Sequence, residues 1–304
     1  MELLQRIAGI ILPVLIMVGI GYAYARHRGD KAKSDVAGMN RITMEALCPL
    51  LVFTALAGKD FDIAANGTLI LAGILIALGS GLLAWPAARL FGYDTRTFVP
   101  PMIYNNCGNM GLPLAVLAFG PTALPSAVAL FMACSLVFFS VGIKILESGR
   151  SDKDTSFFQF LSSPMMLAMI VGIVFSVARI PVPAPLFSAM KLLGESCIPI
   201  MLFALGIRMI DISFKCWSIG LTGAAFCPIS GLAIALLLDG VLPLTAEQRG
   251  QMYLFAALPP AVFCYMMAEH YNQEPDRVAA IVLLGNLAAL VFVPVGLWLG
   301  LRTV

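Results

Sequence analysis

The chain is 304 residues long, 60% hydrophobic and only 12% charged, about half the charged share of an ordinary soluble domain. Its 19 basic and 17 acidic residues leave a net charge of +2, too balanced for a partner of nucleic acid, and a mean hydropathy of +0.92 marks an integral membrane protein. No polar stretch is long enough to fold as a soluble catalytic domain, and neither a GxxxxGK[ST] loop nor a GxSxG elbow occurs, so an ATP-driven pump and a hydrolase have no support.

Apolar runs of about 20 residues, each enough to cross roughly 30 Å of hydrocarbon as a helix, recur along the whole length. They predict an all-α protein with ten spans near 7–26, 36–57, 68–91, 97–119, 122–146, 160–179, 186–208, 216–238, 250–270 and 277–301. A barrel does not fit, because barrel strands alternate apolar and polar residues and these runs are apolar throughout. The N-terminal run MELLQRIAGIILPVLIMVGIGYAYAR lacks a basic start and a small-residue cleavage site, and reads as a retained first span. With the N-terminus outside, 13 lysines and arginines fall in inner segments and 6 in outer ones; the positive-inside rule then places both termini outside. The seven cysteines lie within or beside apolar runs without a CxxC pair. They read as small buried hydrophobes rather than disulfides or metal ligands. His27 and His270 show no metal-ligand spacing, so neither a metal nor a cofactor is expected.

The two halves resemble each other at an offset of 150 residues. EALCPLLVF around Pro49 matches ESCIPIMLF around Pro199, and Glu45 and Phe53 correspond to Glu195 and Phe203 at the same offset. Pro125 likewise pairs with Pro275, and Asn109 falls opposite Pro259. Each half, 1–150 and 151–304, therefore carries five spans. An odd number reverses the direction of crossing, which makes an inverted repeat of the kind found in secondary transporters.

The fourth span, PPMIYNNCGNMGLPLAVLAFG, is heavily interrupted: Pro100, Pro101, Gly108, Gly111 and Pro113 accompany Asn105, Asn106 and Asn109. Proline removes a backbone donor and glycine weakens a helix. In lipid, such a segment survives only inside protein or beside a wet cavity. Its repeat mate carries Pro259 and Pro260. Two broken spans at matching positions point to a transporter binding site, where a half-helix N-terminus suits a carboxylate and the amides orient a polar substrate. Asn105, Asn106, Gly108, Asn109, Gly111, Pro113, Pro259 and Pro260 are thus the candidate substrate site. Kinked helices joined by asparagine hydrogen bonds are the plainer alternative.

Glu45 and Glu195 each lie four residues before a span proline. A carboxylate at membrane depth is a functional candidate, so the pair are either proton carriers or solvated charges near a helix start. Glu269 and His270 read as the solvated end of the ninth span, and Asn286 as interhelical glue rather than a ligand.

NNCGNMGLPLAVLAFG (105–120) and LPPAVFCYMMAEHYN (258–272) resemble the bacterial members of the auxin efflux carrier family, and the resemblance covers essentially the whole chain. It implies inverted five-helix repeats whose fourth and ninth helices break and cross near mid-membrane, a relative of the bile acid/sodium symporter fold. Separate scaffold and transport regions, an elevator-like motion and a place in the bacterial inner membrane follow from it. Carried over, the crossing falls at Asn109 to Pro113 and at Pro259 to Pro260. The central loop ESGRSDKDTS (147–156) is far shorter than that of the plant carriers. No acidic residue follows the second break until Glu269, whereas the sodium symporters place a glutamate there, which speaks against sodium coupling. The expected cargo is a small mono- or dicarboxylate such as malonate or malate. The expected partners are the bilayer, protons and a second copy of the chain. A receptor for a small carboxylate is the competing reading, and an intramembrane enzyme lacks a nucleophile, base or metal cluster.

Overall fold

The computed structural model describes residues 2–29, 31–58, 62–148, 162–209 and 216–302. Most of the central loop, and the first residues of the expected sixth span, lie outside them. Among the described residues every regular element is a helix, and the one extended pairing is an isolated antiparallel bridge between Asn105 and Pro260. The helices are α1 Glu2–Arg28, α2 Lys31–Ile42, α3 Cys48–Ala57, α4 Ile63–Leu90, α5 Thr95–Ile103, α6 Leu112–Phe119 and α7 Leu124–Val137. They continue with α8 Ile143–Glu147, α9 Pro164–Val177, α10 Ala184–Arg208, α11 Trp217–Asp239, α12 Ala246–Ala256, α13 Val262–His270 and α14 Pro275–Leu301. Single π-helical turns join α2 to α3 (Thr43–Leu47), lead into α6 (Cys107–Gly111) and join α7 to α8 (Phe138–Gly142).

Among the described residues, seven helical stretches are long and apolar enough to cross a membrane: Gln5–Arg28, Ser34–Ala57, Ala64–Leu90, Pro121–Glu147, Ala184–Arg208, Trp217–Asp239 and Pro275–Leu301. Each matches an expected span to within four residues at either end. The other three expected spans take different forms. The sixth is the 14-residue α9, started by Pro164 with Ser163 Oγ accepting from Met166 N. The fourth and ninth are each two short helices, α5 and α6 in one case and α12 and α13 in the other, separated by non-helical backbone.

The chain forms two compact units. The first comprises Met1–Gly67, Leu112–Val128 and Ser156–Asp211; the second comprises Thr68–Gly111, Ala129–Thr155 and Ile212–Val304. Each unit draws on both halves of the sequence, so the compact units divide the chain differently from the expected halves 1–150 and 151–304.

In the first unit α1 packs along α10, and α3 packs along α9. Helices in lipid gain little from burying apolar surface, so close backbone approach through small residues holds them together. A Cβ on Gly206 would lie 2.8 Å from the Val18 carbonyl carbon and 2.9 Å from Tyr22 N. One on Gly172 would lie 2.9 Å from Leu56 Cβ, beside an edge-to-face Phe53–Phe175 pair.

In the second unit α14 packs against α11 and α12 through the same device. A Cβ on Gly220 would lie 3.0 Å from Ala280 O, one on Gly296 2.8 Å from Tyr253 O and one on Gly300 2.7 Å from Gly250 O. Helix starts are fixed by caps: Asp94 Oδ1 accepts from Arg96 N at 2.8 Å, and Thr245 and Gln248 form a reciprocal capping box ahead of α12.

Candidate functional site

The two broken segments meet inside the second unit. After α5 the backbone is extended through Tyr104 and Asn105 and runs antiparallel to the segment holding Pro259 and Pro260. Neither proline has an N–H, so the other residues must supply the donors. Asn106 N donates to Pro259 O at 2.7 Å, and Ala261 N donates to Tyr104 O at 3.0 Å. Gly285 of α14 lets this pairing sit close, since a Cβ there would fall 2.7 Å from Pro260 Cδ.

The break in the fourth span therefore lies at Tyr104–Asn106, and not at Asn109 to Pro113 as the repeat offset and the family resemblance suggest. Residues Cys107–Gly111 and Leu112–Phe119 are helical. Pro113 sits in the first α-helical turn after a π-helical turn, so its missing N–H falls where the helix changes pitch. The break of the ninth span falls where expected, with Pro259 and Pro260 in non-helical backbone.

The three asparagines divide into two kinds. Asn105 is buried; its Nδ2 donates to Phe255 O at 2.6 Å, and its Oδ1 accepts from the Cys107 thiol at 2.9 Å. Asn106 is also buried, and its Nδ2 donates to Asn286 Oδ1 at 3.2 Å. Asn286 donates in turn to Val282 O, which makes it the interhelical tie expected from the sequence. Asn109 differs: it is half-buried, and its side chain forms no hydrogen bond with the described residues. It stands one turn beyond the extended crossing, with an amide that both donates and accepts.

Gly111 serves packing, since a Cβ would meet Leu258 Cδ1 at 2.9 Å and Phe255 Cε1 at 3.1 Å. Gly108 is half-buried, with Phe131 an ordinary 3.5 Å from a Cβ position. Pro113 is buried and belongs to the first unit. Opposite the asparagines, α13 opens at Ala261 with no side-chain cap, leaving the positive end of a helix at the crossing.

Glu45 and Glu195 also belong to the first unit. Glu45 is exposed within the π-helical turn, and Glu195 is half-exposed with Oε1 3.7 Å from Lys191 Nζ. Glu269 and His270 are exposed at the end of α13, where Tyr265 donates to Glu269. Among the described residues no group of three or more histidine, cysteine or acidic side chains could hold a metal ion.

Tyr104 takes part in the crossing although the sequence does not single it out. Its carbonyl accepts there, and its hydroxyl lies 3.3 Å from Ser135 Oγ. Its ring stacks on Phe138 at 4.7 Å and meets Phe263 edge-on at 6.2 Å. A tyrosine in an apolar run gives little sign of such a role. Nor does the sequence show the polar latch beside α5, where Gln273 Nε2 donates to Asp94 Oδ2 at 3.1 Å and to Thr97 Oγ1 at 2.9 Å. Partial burial pushes the Asp94 carboxyl up, but the Arg96 backbone N–H and guanidinium and the Gln273 amide outweigh it. The net position is below the ordinary carboxylate range.

The sequence profile of the family described as "Membrane transport protein" matches residues 7–157 and 155–297. The chain belongs to this family, that of the auxin efflux carriers. It is a membrane transporter and not an enzyme. Similar proteins include an uncharacterised transporter of Methanothermobacter thermautotrophicus, 24% identical over 95% of this chain and 96% of the relative. A protein of Rhizobium meliloti, provisionally named a malonate transporter, is 24% identical over 94% of this chain and 93% of its own. The uncharacterised transporter YfdV of Escherichia coli is 21% identical over 96% of each.

Proposed function

We propose that this transporter carries small organic anions, mono- or dicarboxylates, across the bacterial inner membrane by alternating access of elevator type. The observation that carries the reading is the half-buried amide of Asn109, without a hydrogen-bond partner among the described residues, beside a crossing of two broken helices. There Asn105 and Asn106 hold the backbone, and the uncapped start of α13 offers positive potential to a carboxylate. Gly108, Gly111, Pro259 and Pro260 complete the site by shaping its backbone, and Pro113 follows it in the chain. The name of the Rhizobium meliloti relative supports the choice of substrate class.

Ten spans in two inverted repeats, 1–150 and 151–304, are part of the same proposal. Elements about 150 residues apart share their form: Ser34–Ala57 with Ala184–Arg208, and the broken pair α5 and α6 with the broken pair α12 and α13. The two compact units, interleaved in sequence, supply the separate bodies that an elevator needs. Both termini lie outside, and the carrier works as a homodimer. Glu45 and Glu195 are the candidates for proton coupling. Movement driven by the membrane potential, about 2.3 kcal/mol per charge per 100 mV, is the alternative where neither titrates during transport.

Thermal stabilisation of the purified protein across a panel of carboxylates tests the substrate class. A bound anion stabilises by about 2.7 kcal/mol at 100 times its Kd. Selective stabilisation by mono- or dicarboxylates, lost in Asn109→Ala, is expected. Stabilisation by none of them would remove the assignment.

A further inference from the structure

We propose that Cys48 and Cys197 form a reversible disulfide that joins the two halves of the chain within the first unit. Their Sγ atoms are 2.7 Å apart, roughly 0.7 Å from the bonding distance of about 2.05 Å. Both residues are fully buried free thiols, at 1% and 0% exposure. The helices that carry them are in backbone contact one turn away. A Cβ on Gly194 would lie 2.6 Å from Leu51 N and 2.7 Å from Leu51 Cα. Gly194 precedes Cys197 by three residues and Leu51 follows Cys48 by three, so α3 and α10 run antiparallel here with the cysteines on facing sides. Disulfides require Cα atoms within about 4.4–6.8 Å, a distance that side-by-side helices reach only through small residues of this kind.

Four of the other described cysteines are differently engaged: Cys107 and Cys134 donate to Asn105 Oδ1, Cys264 to Tyr104 O, and Cys227 to Leu258 O. Cys48 and Cys197 instead face each other.

Formation of the bond breaks two S–H bonds and makes one S–S bond, releasing two protons and two electrons. Both thiols lie within apolar spans, out of reach of a charged oxidant. The acceptor class that fits is a quinone, which dissolves in hydrocarbon and takes up both electrons and both protons to become a hydroquinone. An open apolar groove of 530 Å³ in the same unit, lined by Pro49, Leu50, Phe53, Leu167, Phe175 and Met190 among others, begins at the residue next to Cys48. The resulting bond fixes α3 against α10 beside Pro49 and Pro199, the points at which these spans are most easily bent.

The test uses the full-length protein in membranes, treated with tetramethylbenzoquinone, which accepts electrons without adding to thiols. The protein is then denatured in N-ethylmaleimide and weighed intact. Five of the seven cysteines are expected to carry maleimide after oxidation, and all seven after prior reduction with dithiothreitol. Digestion should yield a peptide pair linked through Cys48 and Cys197. In Cys48→Ser all six remaining thiols should label with or without the quinone. Seven adducts in the oxidised wild type would overturn the proposal, as would a linked peptide joining another pair such as Cys107 and Cys134.

Discussion

Asn105→Ala and Asn109→Ala are expected to separate stability from ligand recognition, although the two residues lie four positions apart on the same broken span. In Asn105→Ala the Phe255 carbonyl loses a donor at 2.6 Å in a buried setting, and the Cys107 thiol loses its acceptor. A net hydrogen bond contributes about 1 kcal/mol, and leaving a buried carbonyl unsatisfied costs about 1–3 kcal/mol. The substitution should therefore cost about 2–3 kcal/mol. At roughly 2 °C per kcal/mol for a chain of this size, the melting temperature in detergent should fall by about 4–6 °C. Asn109→Ala removes no hydrogen bond to the described residues and should stay within about 0.5 kcal/mol of the wild type, while losing stabilisation by carboxylates. A fluorescence melting curve with and without ligand reads both effects. An Asn109→Ala protein that melts as low as Asn105→Ala, or an Asn105→Ala protein that melts with the wild type, would refute the division of roles.

Gly206→Ala should loosen the α1–α10 pair, because its Cβ would lie 2.8 Å from the Val18 carbonyl carbon and 2.9 Å from Tyr22 N; a loss of about 1–3 kcal/mol is expected in the melting curve. Glu45→Gln and Glu195→Gln keep size and hydrogen bonding but cannot titrate, so at least one should abolish the response of transport to an imposed pH gradient in proteoliposomes. A wild type that ignores the gradient but follows voltage would make both glutamates structural. Asp94 is held below the ordinary carboxylate range in the folded state, so its contribution is present above the unfolded value of about 3.9 and is lost as pH falls through the folded value. Asp94→Asn keeps the helix cap and should flatten the decline in melting temperature below about pH 4.

Much of this architecture was legible because length and apolarity fix a spanning helix almost alone. Ser34–Ala57 and Ala184–Arg208 lie within two residues of their expected limits. The position of the first break was not legible, because it is set by a partner far away in the sequence, at Pro259 and Pro260. Pro259 and Pro260 offer carbonyls but no N–H, and the donor that answers them is Asn106. The repeat offset points instead to Asn109. Composition identified three asparagines as special, yet only contacts could show that Asn105 and Asn106 hold the crossing while Asn109 stays unengaged among the described residues. The cysteines show the same limit. EALCPLLVF and ESCIPIMLF each carry one, but nothing in either motif says that α3 and α10 run antiparallel with the two sulfurs opposed.

Exchange of radiolabelled malonate in proteoliposomes, with other mono- and dicarboxylates as competitors, tests the central claim most directly. Saturable exchange by the wild type, with a markedly raised KM or lost rate in folded Asn109→Ala, is the predicted result. Carboxylate binding without any exchange would favour a receptor, and exchange unchanged by Asn109→Ala would place the substrate away from the crossing.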